Sequence, residues 1–385
     1  MSPARHALSP PILVEDAAGL AALLEQSRRA LAVAVDTEAN SLYAYYPRVC
    51  LIQLSLPGAD FIVDPLAVDP APLADLFADP ALRKIFHAAE NDILGLKRDF
   101  GFRFANLFDT MLAARILGWR EVGLSSILVR HFGVKLDKRM QRTDWGQRPL
   151  RPEQLSYAQL DTHFLIPLAA LQEEELRRRG RWAEAAEAFA RLPDLEAVPK
   201  AFDAENFRRI GGARDLTPRQ QAVLRELYIF REEEARRLDR PPFKLFSEAL
   251  LVALATEQPT TLEQLARTPG VTEQVLRHWG QGLLAAIERG RRASPPRPPA
   301  REGNGSGRPD PQTQARYEAL RRWRAAQAAA RGVDVDVVLT NQTLMAIAQE
   351  APRTVEELEA LQLLGPAKLQ EYGAEIVRAL WPQRL

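Results

Sequence analysis

Two carboxylates, Asp36 and Glu38, stand two residues apart at the end of a short apolar run that begins at Leu31. The run has the length and the valine content of a buried strand. Because side chains alternate along an extended chain, both carboxylates leave the strand on the same face. Two negative charges this close repel each other, and a divalent cation bound through the carboxylate oxygens would relieve the repulsion. Acids are also common where a strand enters a polar turn, and on these residues alone the turn is the simpler interpretation.

Three further residues have types and positions that suit the same chemistry. Asp92 follows a predicted strand and falls in the first turn of a predicted helix, where sites of α/β sheets are built. An acid there also complements the helix dipole. Tyr157 and Asp161 are four residues apart in a predicted helix, so they share one face of it. Each of these observations alone is typical of an ordinary solvated surface.

The elements that must position these residues follow from the hydrophobic pattern. Three strands close together in sequence, at about 31–38, 48–56 and 61–63, predict antiparallel hairpins. After them, helices alternate with a strand at 84–87 and a short strand that ends at Asp109. A helix at 14–30 precedes the first strand, and one long helix spans 154–179. This order predicts a mixed α/β sheet flanked by helices.

The second half of the chain has a helical pattern and repeats itself at an offset of 93 residues. Phe230-Arg231, for example, corresponds to Trp323-Arg324. The segment between the copies is dense in Pro, Gly and Arg, which predicts a flexible linker. The predicted domains are an α/β domain at 1–199, a first helical domain at 213–291, a linker at 292–311 and a second helical domain at 312–385.

Composition limits the remaining possibilities. The 385 residues carry a formal net charge of +1, so nucleic acid would have to bind to local basic patches. The single cysteine, Cys50, excludes an internal disulfide and a zinc site built from several cysteines. No segment reaches the length of a membrane span, and the first residues lack a secretory pattern. We therefore expect a cytoplasmic protein that does not bind membranes.

The order Asp36-x-Glu38, Asp92 and Tyr157-x-x-x-Asp161 resembles the DEDDy branch of the DnaQ-like 3′→5′ exonucleases. Within that branch the chain is similar to ribonuclease D, and the helical repeats resemble HRDC domains, which are nucleic-acid-binding modules. The second repeat keeps the HRDC pattern less well than the first. The segments that carry the ribonuclease D resemblance besides the acids are 45–47, 51–54, 136–138, 144–145, 148–150 and 154–158.

The resemblance implies a ribonuclease H-like α/β exonuclease domain followed by two all-α HRDC bundles. It also implies a 3′→5′ exoribonuclease that releases nucleoside 5′-monophosphates, acts in tRNA 3′ processing and binds RNA with a single-stranded 3′ end. Asp36, Glu38, Asp92 and Asp161 would hold two ions, Mg²⁺ or Mn²⁺, because oxygen-only ligands suit these metals. Tyr157 would orient the attacking water, since a tyrosine that titrates at about 10 is a poor base at neutral pH.

Substrate contacts and alternatives complete the predictions. The candidate substrate-binding residues are Thr37, Tyr46, His87, Asn91, Lys138 and Arg148. A structural histidine, a surface aromatic cluster and a solvated charged loop would explain several of them equally well. The protein is expected to be a monomer whose domain at 1–199 cleaves short RNA alone. The alternative functions are a DNA 3′→5′ exonuclease and a catalytically idle RNA-binding adaptor.

Overall fold

The computed structural model of the chain describes residues 8–197, 201–296 and 310–381. These residues form two compact units. The first unit contains residues 8–39, 49–197 and 310–381, and the second contains residues 40–48 and 201–296. Most of the predicted linker at 292–311 lies outside the described residues. In the parts of the chain that are described, no helix has both the length and the apolar character that crossing a membrane requires.

The first unit is built on a mixed sheet, to which the described residues contribute six strands. The strands are β1 (Ile12–Val14), β2 (Ala32–Ala39), β3 (Val49–Leu56), β4 (Ala59–Val63), β5 (Arg83–Phe86) and β6 (Leu107–Asp109). Their order across the sheet is β1-β4-β3-β2-β5-β6, in which β2, β3 and β4 pair antiparallel and the other neighbours pair parallel. This arrangement confirms the predicted mixed α/β fold and places β2 inside the sheet.

Helices cover both faces of this sheet. They are α1 (Ala17–Ser27), α2 (Leu73–Ala78), α3 (Glu90–Phe100), α4 (Thr110–Leu117), α5 (Leu124–Phe132), α6 (Pro152–His163), α7 (Leu165–Arg178) and α8 (Trp182–Ala190). Val33 and Val35 of β2 are fully buried in one cluster, whereas Ala34 is buried in another, against residues of α4 and α7. Because side chains alternate along β2, Asp36 shares the face of Ala34.

Two predicted helices differ from the observed ones. The helix predicted at 14–30 begins only at Ala17, where the Asp16 side chain caps it, and the residues just before it form the edge strand β1. The helix predicted at 154–179 is interrupted at Phe164, which separates α6 from α7. Pro167 lies in the first turn of α7, where its missing N–H needs no partner, whereas inside a continuous helix it would break a hydrogen bond.

The second unit is a helical bundle together with residues 40–48. Its helices are α9 (Pro218–Arg237), α10 (Glu248–Glu257), α11 (Leu262–Arg267) and α12 (Glu273–Arg292). The Tyr45 hydroxyl donates a hydrogen bond of 2.5 Å to the Glu232 carboxylate. The Asp239 carboxylate accepts from the backbone N–H groups of Tyr45 and Tyr46, each at 3.0 Å. The connection between β2 and β3 therefore packs with the first helical copy.

The second helical copy follows the same plan and belongs to the first unit. Its helices are α13 (Pro311–Arg331), α14 (Val335–Val338), α15 (Asn341–Glu350), α16 (Val355–Ala360) and α17 (Pro366–Leu380). The helices α13, α15, α16 and α17 begin 93 residues after α9, α10, α11 and α12, respectively. The repeat offset found in the sequence is therefore the structural offset.

Polar contacts attach the second copy to the α/β part of the first unit. The Arg331 guanidinium forms a salt bridge with the largely buried Glu184 of α8. Arg181 donates to the Arg331 carbonyl at 2.8 Å, and the Glu187 carboxylate accepts from the Ala367 N–H at 2.8 Å. Val337 packs into the apolar cluster that lies under α4, α7 and α8. These contacts make the second copy part of the same compact body as the sheet.

Candidate active site

Three of the predicted metal ligands converge at the end of β2. One carboxylate oxygen from each of Asp36, Glu38 and Asp161 lies within 4.8 Å of the other two. Asp36 and Glu38 come from the same face of β2, and Asp161 comes from α6, which packs against β2, β3 and β4. The three line a cleft of about 500 Å³ together with His87 and Tyr157.

Asp92, the fourth acid, is held at this edge of the sheet through Thr37. Its Oδ1 accepts from the Thr37 N–H at 3.0 Å and from the Thr37 hydroxyl at 2.5 Å. The turn before α3 is fixed by the buried Asp109, whose carboxylate accepts from the N–H groups of Ala88 at 3.2 Å and Ala89 at 2.8 Å. Ala88 has a φ of 63°, which is rare for a residue with a side chain. Asp109 was not among the predicted site residues.

Asp92 and Asp161 are buried, and Asp36 and Glu38 are half-buried, so the four acids lie close together with little contact with solvent. Burial raises the pKa values of Asp36 and Glu38 well above their usual range, and repulsion from the other acids raises them further. Burial also raises the pKa of Asp161 to about 8 and that of Asp92 to about 7, although hydrogen bonds from Thr37 partly lower the latter. Among the described residues, no lysine or arginine is a main influence on the pKa values of these four acids. Such an all-oxygen, negatively charged cluster fits divalent cations.

This electrostatic arrangement predicts how the stability of the metal-free protein depends on pH. The folded pKa of Asp161 is about 8, against a usual value near 4 in an unfolded chain. The native state therefore binds more protons, and its stability falls as the pH rises from about 4 to about 8. In EDTA, the melting temperature should decrease across this interval, and excess Mn²⁺ should restore it at pH 8. A metal-free melting temperature that falls no more steeply between pH 5 and pH 8 than that of Asp161→Asn would contradict the raised pKa of Asp161.

Tyr157 lies above the acids with its hydroxyl directed at them. It is 6% exposed, and the nearby hydroxyl partly lowers the pKa of Asp161. Burial raises its pKa above the usual value, and the charges of Asp161, Glu38 and Asp36 raise it further. The hydroxyl is therefore protonated at neutral pH and serves as a hydrogen-bond donor. Gln141, which the sequence analysis missed, lines the same cleft from the short 3-10 helix Lys138–Arg142.

The other candidate substrate residues lie in different environments. His87 lines the cleft, with its Nδ1 2.9 Å from the Thr110 hydroxyl, and burial lowers its pKa to about 4, so its ring is neutral at pH 7. Asn91 is exposed in the first turn of α3. Tyr46 belongs to the second unit, where its ring is 59% exposed. The side chain of Lys138 lies outside what the structure describes.

Arg148, a predicted substrate contact, occupies a structural position. Its guanidinium forms a two-pronged ion pair with the buried Asp64, at 2.5 Å and 2.7 Å. The remaining N–H groups donate to the carbonyls of Cys50, Trp145 and Gln147. Every nitrogen of the side chain thus has an internal partner. A contact between Arg148 and substrate stays a prediction, and the observed bonds give the side chain a structural role.

Arg148→Met should consequently lower stability rather than catalysis. Removing one partner of a largely buried ion pair costs about 3 kcal/mol, and the melting temperature should fall by roughly 5–10 °C. Below the transition, kcat/KM on a short RNA should stay within a few-fold of wild type. Arg28→Met, which removes an exposed ion pair on α1, is the control and should change neither quantity. An increase in KM for RNA without a loss of stability would instead indicate that Arg148 contacts the substrate.

Comparisons with known proteins agree with this geometry. Residues 11–177 match the 3′-5′ exonuclease family, and residues 220–287 and 313–380 each match the HRDC domain. The chain is 31% identical to ribonuclease D of Granulibacter bethesdensis over 354 residues, which cover 90% of this chain and 88% of that protein. It is 34% identical to ribonuclease D of Gluconacetobacter diazotrophicus over 283 residues, which cover 72% and 71%, respectively.

A solved structure extends the similarity to three dimensions. The crystal structure of Escherichia coli RNase D, described as an exoribonuclease involved in structured RNA processing, superimposes with a TM-score of 0.63. The superposition covers 94% of this chain and all of that one, at 26% sequence identity. The similarity therefore includes the helical copies as well as the sheet.

Proposed function

Because this chain belongs to the ribonuclease D family of metal-dependent 3′→5′ exoribonucleases, we propose that it trims the single-stranded 3′ ends of tRNA precursors as a monomer. Each step would release one nucleoside 5′-monophosphate. The observation that carries the proposal is the convergence of Asp36, Glu38 and Asp161 beside Tyr157 in one cleft. The role of the Escherichia coli relative in structured RNA processing supports this class of substrate.

We assign the carboxylates of Asp36, Glu38, Asp92 and Asp161 to two divalent cations, Mg²⁺ or Mn²⁺. The support is the donor set, which offers only oxygen, and the burial that raises the pKa values of its carboxylates. When bound, two such ions activate a water molecule and stabilise the charge on the leaving 3′ oxygen. Thr37 contributes by holding the Asp92 carboxylate in place through two hydrogen bonds.

The protein's own groups then direct the reaction. The Tyr157 hydroxyl, protonated at neutral pH, orients the attacking water by hydrogen bonding and does not remove its proton. Asp161 and Gln141 line the cleft beside this hydroxyl. The neutral His87 ring on the cleft wall offers a hydrogen bond to the substrate without adding charge to the site.

The two helical copies have different roles in this proposal. The first copy supplies a weak additional contact to the body of the RNA, and its tether raises the effective concentration of the 3′ end at the site. In the second copy, Arg331 forms a salt bridge with Glu184, and Lys368 donates to the carbonyls of Val337 and Val338. These cations are consequently less free to bind phosphate, and the second copy acts mainly as an anchor.

The test uses matched RNA and DNA oligonucleotides labelled at the 3′ or the 5′ end, with Mg²⁺, Mn²⁺ or EDTA. We expect 3′-labelled RNA to yield labelled mononucleotide at once, while 5′-labelled RNA shortens progressively, and EDTA to abolish both reactions. Equal digestion of DNA would favour the alternative DNA exonuclease. Binding of RNA without cleavage in either metal would favour the idle adaptor.

A further inference from the structure

A second cavity lies directly beside the catalytic cleft. It has a volume of about 830 Å³ and is lined mainly by α5 and by the segment at 135–139 that follows this helix. Ser125, Ser126 and Leu136 line both this cavity and the cleft, so the two spaces adjoin. We call the second cavity the side groove. The residues assigned to the metals and to the attacking water do not line it.

The side groove contains cations that no acid neutralises. Arg130, near the end of α5, and Lys135, just after it, are both exposed, and neither forms an ion pair among the described residues. The third cation of the groove, Arg139, pairs with Asp137 at 2.6 Å, so these two charges largely cancel. Arg130 and Lys135 are therefore available to bind an anion from solution.

The arrangement of the lining on α5 gives the groove a direction. Val129 and Arg130 follow Ser126 by three and four residues, so they share one face of the helix with it. That face leads from the cleft to Arg130, which lies roughly 6 Å further along the helix axis than Ser126. Among the described residues that line the groove, none is aromatic. An occupant would therefore be held through its phosphates rather than through stacked bases.

The position of the groove meets a requirement of 3′→5′ hydrolysis. When the 3′-terminal phosphodiester lies over the acids, the rest of the RNA must leave the cleft on its 5′ side. A strand that leaves past Ser125 and Ser126 enters the side groove, where Arg130 and Lys135 face its phosphates. Phosphate contacts hold a strand without reading its sequence, which suits an enzyme that removes successive nucleotides of any type.

We propose that the side groove binds the phosphates of the single-stranded RNA next to the 3′-terminal nucleotide, through Arg130 and Lys135. The inference rests on the proposed function, because it concerns how the same RNA reaches the same cleft. It assigns substrate binding to these two cations and no part in the chemical step. Glu121 also lines the groove, and its negative charge opposes this binding.

Substrate length tests this role. A uridine dinucleotide without a 5′ phosphate has a single phosphodiester, the one to be cleaved, so no phosphate remains for the groove. A uridine heptanucleotide has further phosphates upstream, and wild type should prefer it. In the double variant Arg130→Gln/Lys135→Gln, the ratio of the two kcat/KM values should fall roughly tenfold, through KM. Damage to the cleft itself would instead lower both kcat/KM values together and leave their ratio unchanged.

Binding without hydrolysis gives an independent measurement. In EDTA, the fluorescence anisotropy of a 5′-labelled heptanucleotide should show an affinity roughly two- to fivefold weaker for each single variant. The plot of log affinity against log salt concentration should become shallower by about 1.4 in the double variant, because each phosphate contact on a single strand contributes about 0.7 to the slope.

Three further variants separate charge from packing. Lys135→Arg keeps the charge and should keep the wild-type affinity. Glu121→Gln removes the acid of the groove and should strengthen binding of the heptanucleotide. Arg103→Gln removes an exposed cation that lines neither cavity. It changes the net charge as much as Arg130→Gln does, but it should leave the affinity and the salt dependence at their wild-type values.

Outcomes for this inference and for the proposed function are distinguishable. If wild type cleaves neither oligonucleotide in Mg²⁺ or Mn²⁺, the proposed function fails, whatever the affinities are. If wild type cleaves RNA and the double variant keeps both the wild-type length preference and the wild-type salt dependence, only the role of the side groove is overturned. An equal loss of affinity in Arg103→Gln, or weaker binding by Glu121→Gln, would also overturn it.

Discussion

Asp161→Asn should abolish RNA hydrolysis and, at the same time, raise the melting temperature of the metal-free protein. The loss follows because a metal ligand contributes several kcal/mol of transition-state stabilisation, and each 1.4 kcal/mol or so is worth a factor of ten. We expect the single-turnover rate to fall by roughly a thousandfold or more. The gain in stability follows because burial raises the pKa of Asp161 to about 8, so its charge is unfavourable in the fold.

The size of this gain in stability depends on pH in a way that can be measured. Below pH 4 the carboxyl is neutral in both states, so the variant should gain little there. The gain should grow as the pH rises towards 8, when the native carboxylate is forced to ionise. Glu153→Gln, which changes an exposed acid at the start of the same helix, should affect neither rate nor stability. A single-turnover rate for Asp161→Asn within tenfold of the wild-type rate would contradict the assignment of Asp161 as a metal ligand.

Tyr157→Phe should lower kcat by roughly two to four orders of magnitude, the range for a positioned acid-base group. The substitution removes only the hydroxyl and leaves the ring packed beside Trp145. Affinity for RNA should therefore change little, and the loss should fall on kcat. Because the pKa of Tyr157 is raised above its usual value, its ionisation does not set the neutral pH profile.

Single-turnover rates from pH 6 to pH 9 check both parts of this prediction. The variant should show the wild-type shape of the profile at a lower amplitude. Tyr317→Phe, which removes a tyrosine hydroxyl from the second helical copy, serves as the control. Loss of a limb of the profile in Tyr157→Phe would instead make Tyr157 the base, and an unchanged rate would leave it as part of the packing of α6.

The arrangement of the site residues within each segment could be predicted from the sequence. Alternation along β2 places Asp36 and Glu38 on one face, and the four-residue spacing in α6 does the same for Tyr157 and Asp161. That these two segments meet depends on contacts between residues more than a hundred apart, such as Ser55 with Thr162. No periodicity within a segment encodes such a contact. The family resemblance, and not the local pattern, predicted the convergence.

The features that sequence analysis missed are also long-range. Arg148 and Asp64 are 84 residues apart. Nothing in the sequence near Arg148 indicates that it pairs with the buried Asp64, and its basic surroundings therefore suggested phosphate binding. Gln141 lies in a polar segment, and only the fold places it beside Tyr157 on the wall of the cleft. The three-residue strand β1 is too short to show alternation and depends on pairing with β4.

The structure also changes what we expect of residues 1–199 in isolation. The sequence suggested a domain that works alone, but Glu184 pairs with Arg331 of the second copy, and Val337 fills part of the cluster under α8. Removing the second copy would leave a buried carboxylate unpaired and expose apolar surface. Truncation at 199 should therefore lower stability, and weak activity of such a fragment would not by itself show that the helical copies bind RNA.

The packing of residues 40–48 has a consequence for synthesis of the protein on the ribosome. Tyr45 emerges 187 residues before Glu232 and 194 residues before Asp239, its hydrogen-bonding partners. At about 5–20 residues per second, that interval lasts roughly 10–40 s. During this interval, residues 40–48 follow β2 in the nascent chain, but the helical bundle against which they pack has not yet been synthesised. Translation halted in this interval should leave nascent chains that proteases cut at 40–48, whereas the finished protein should resist cleavage there.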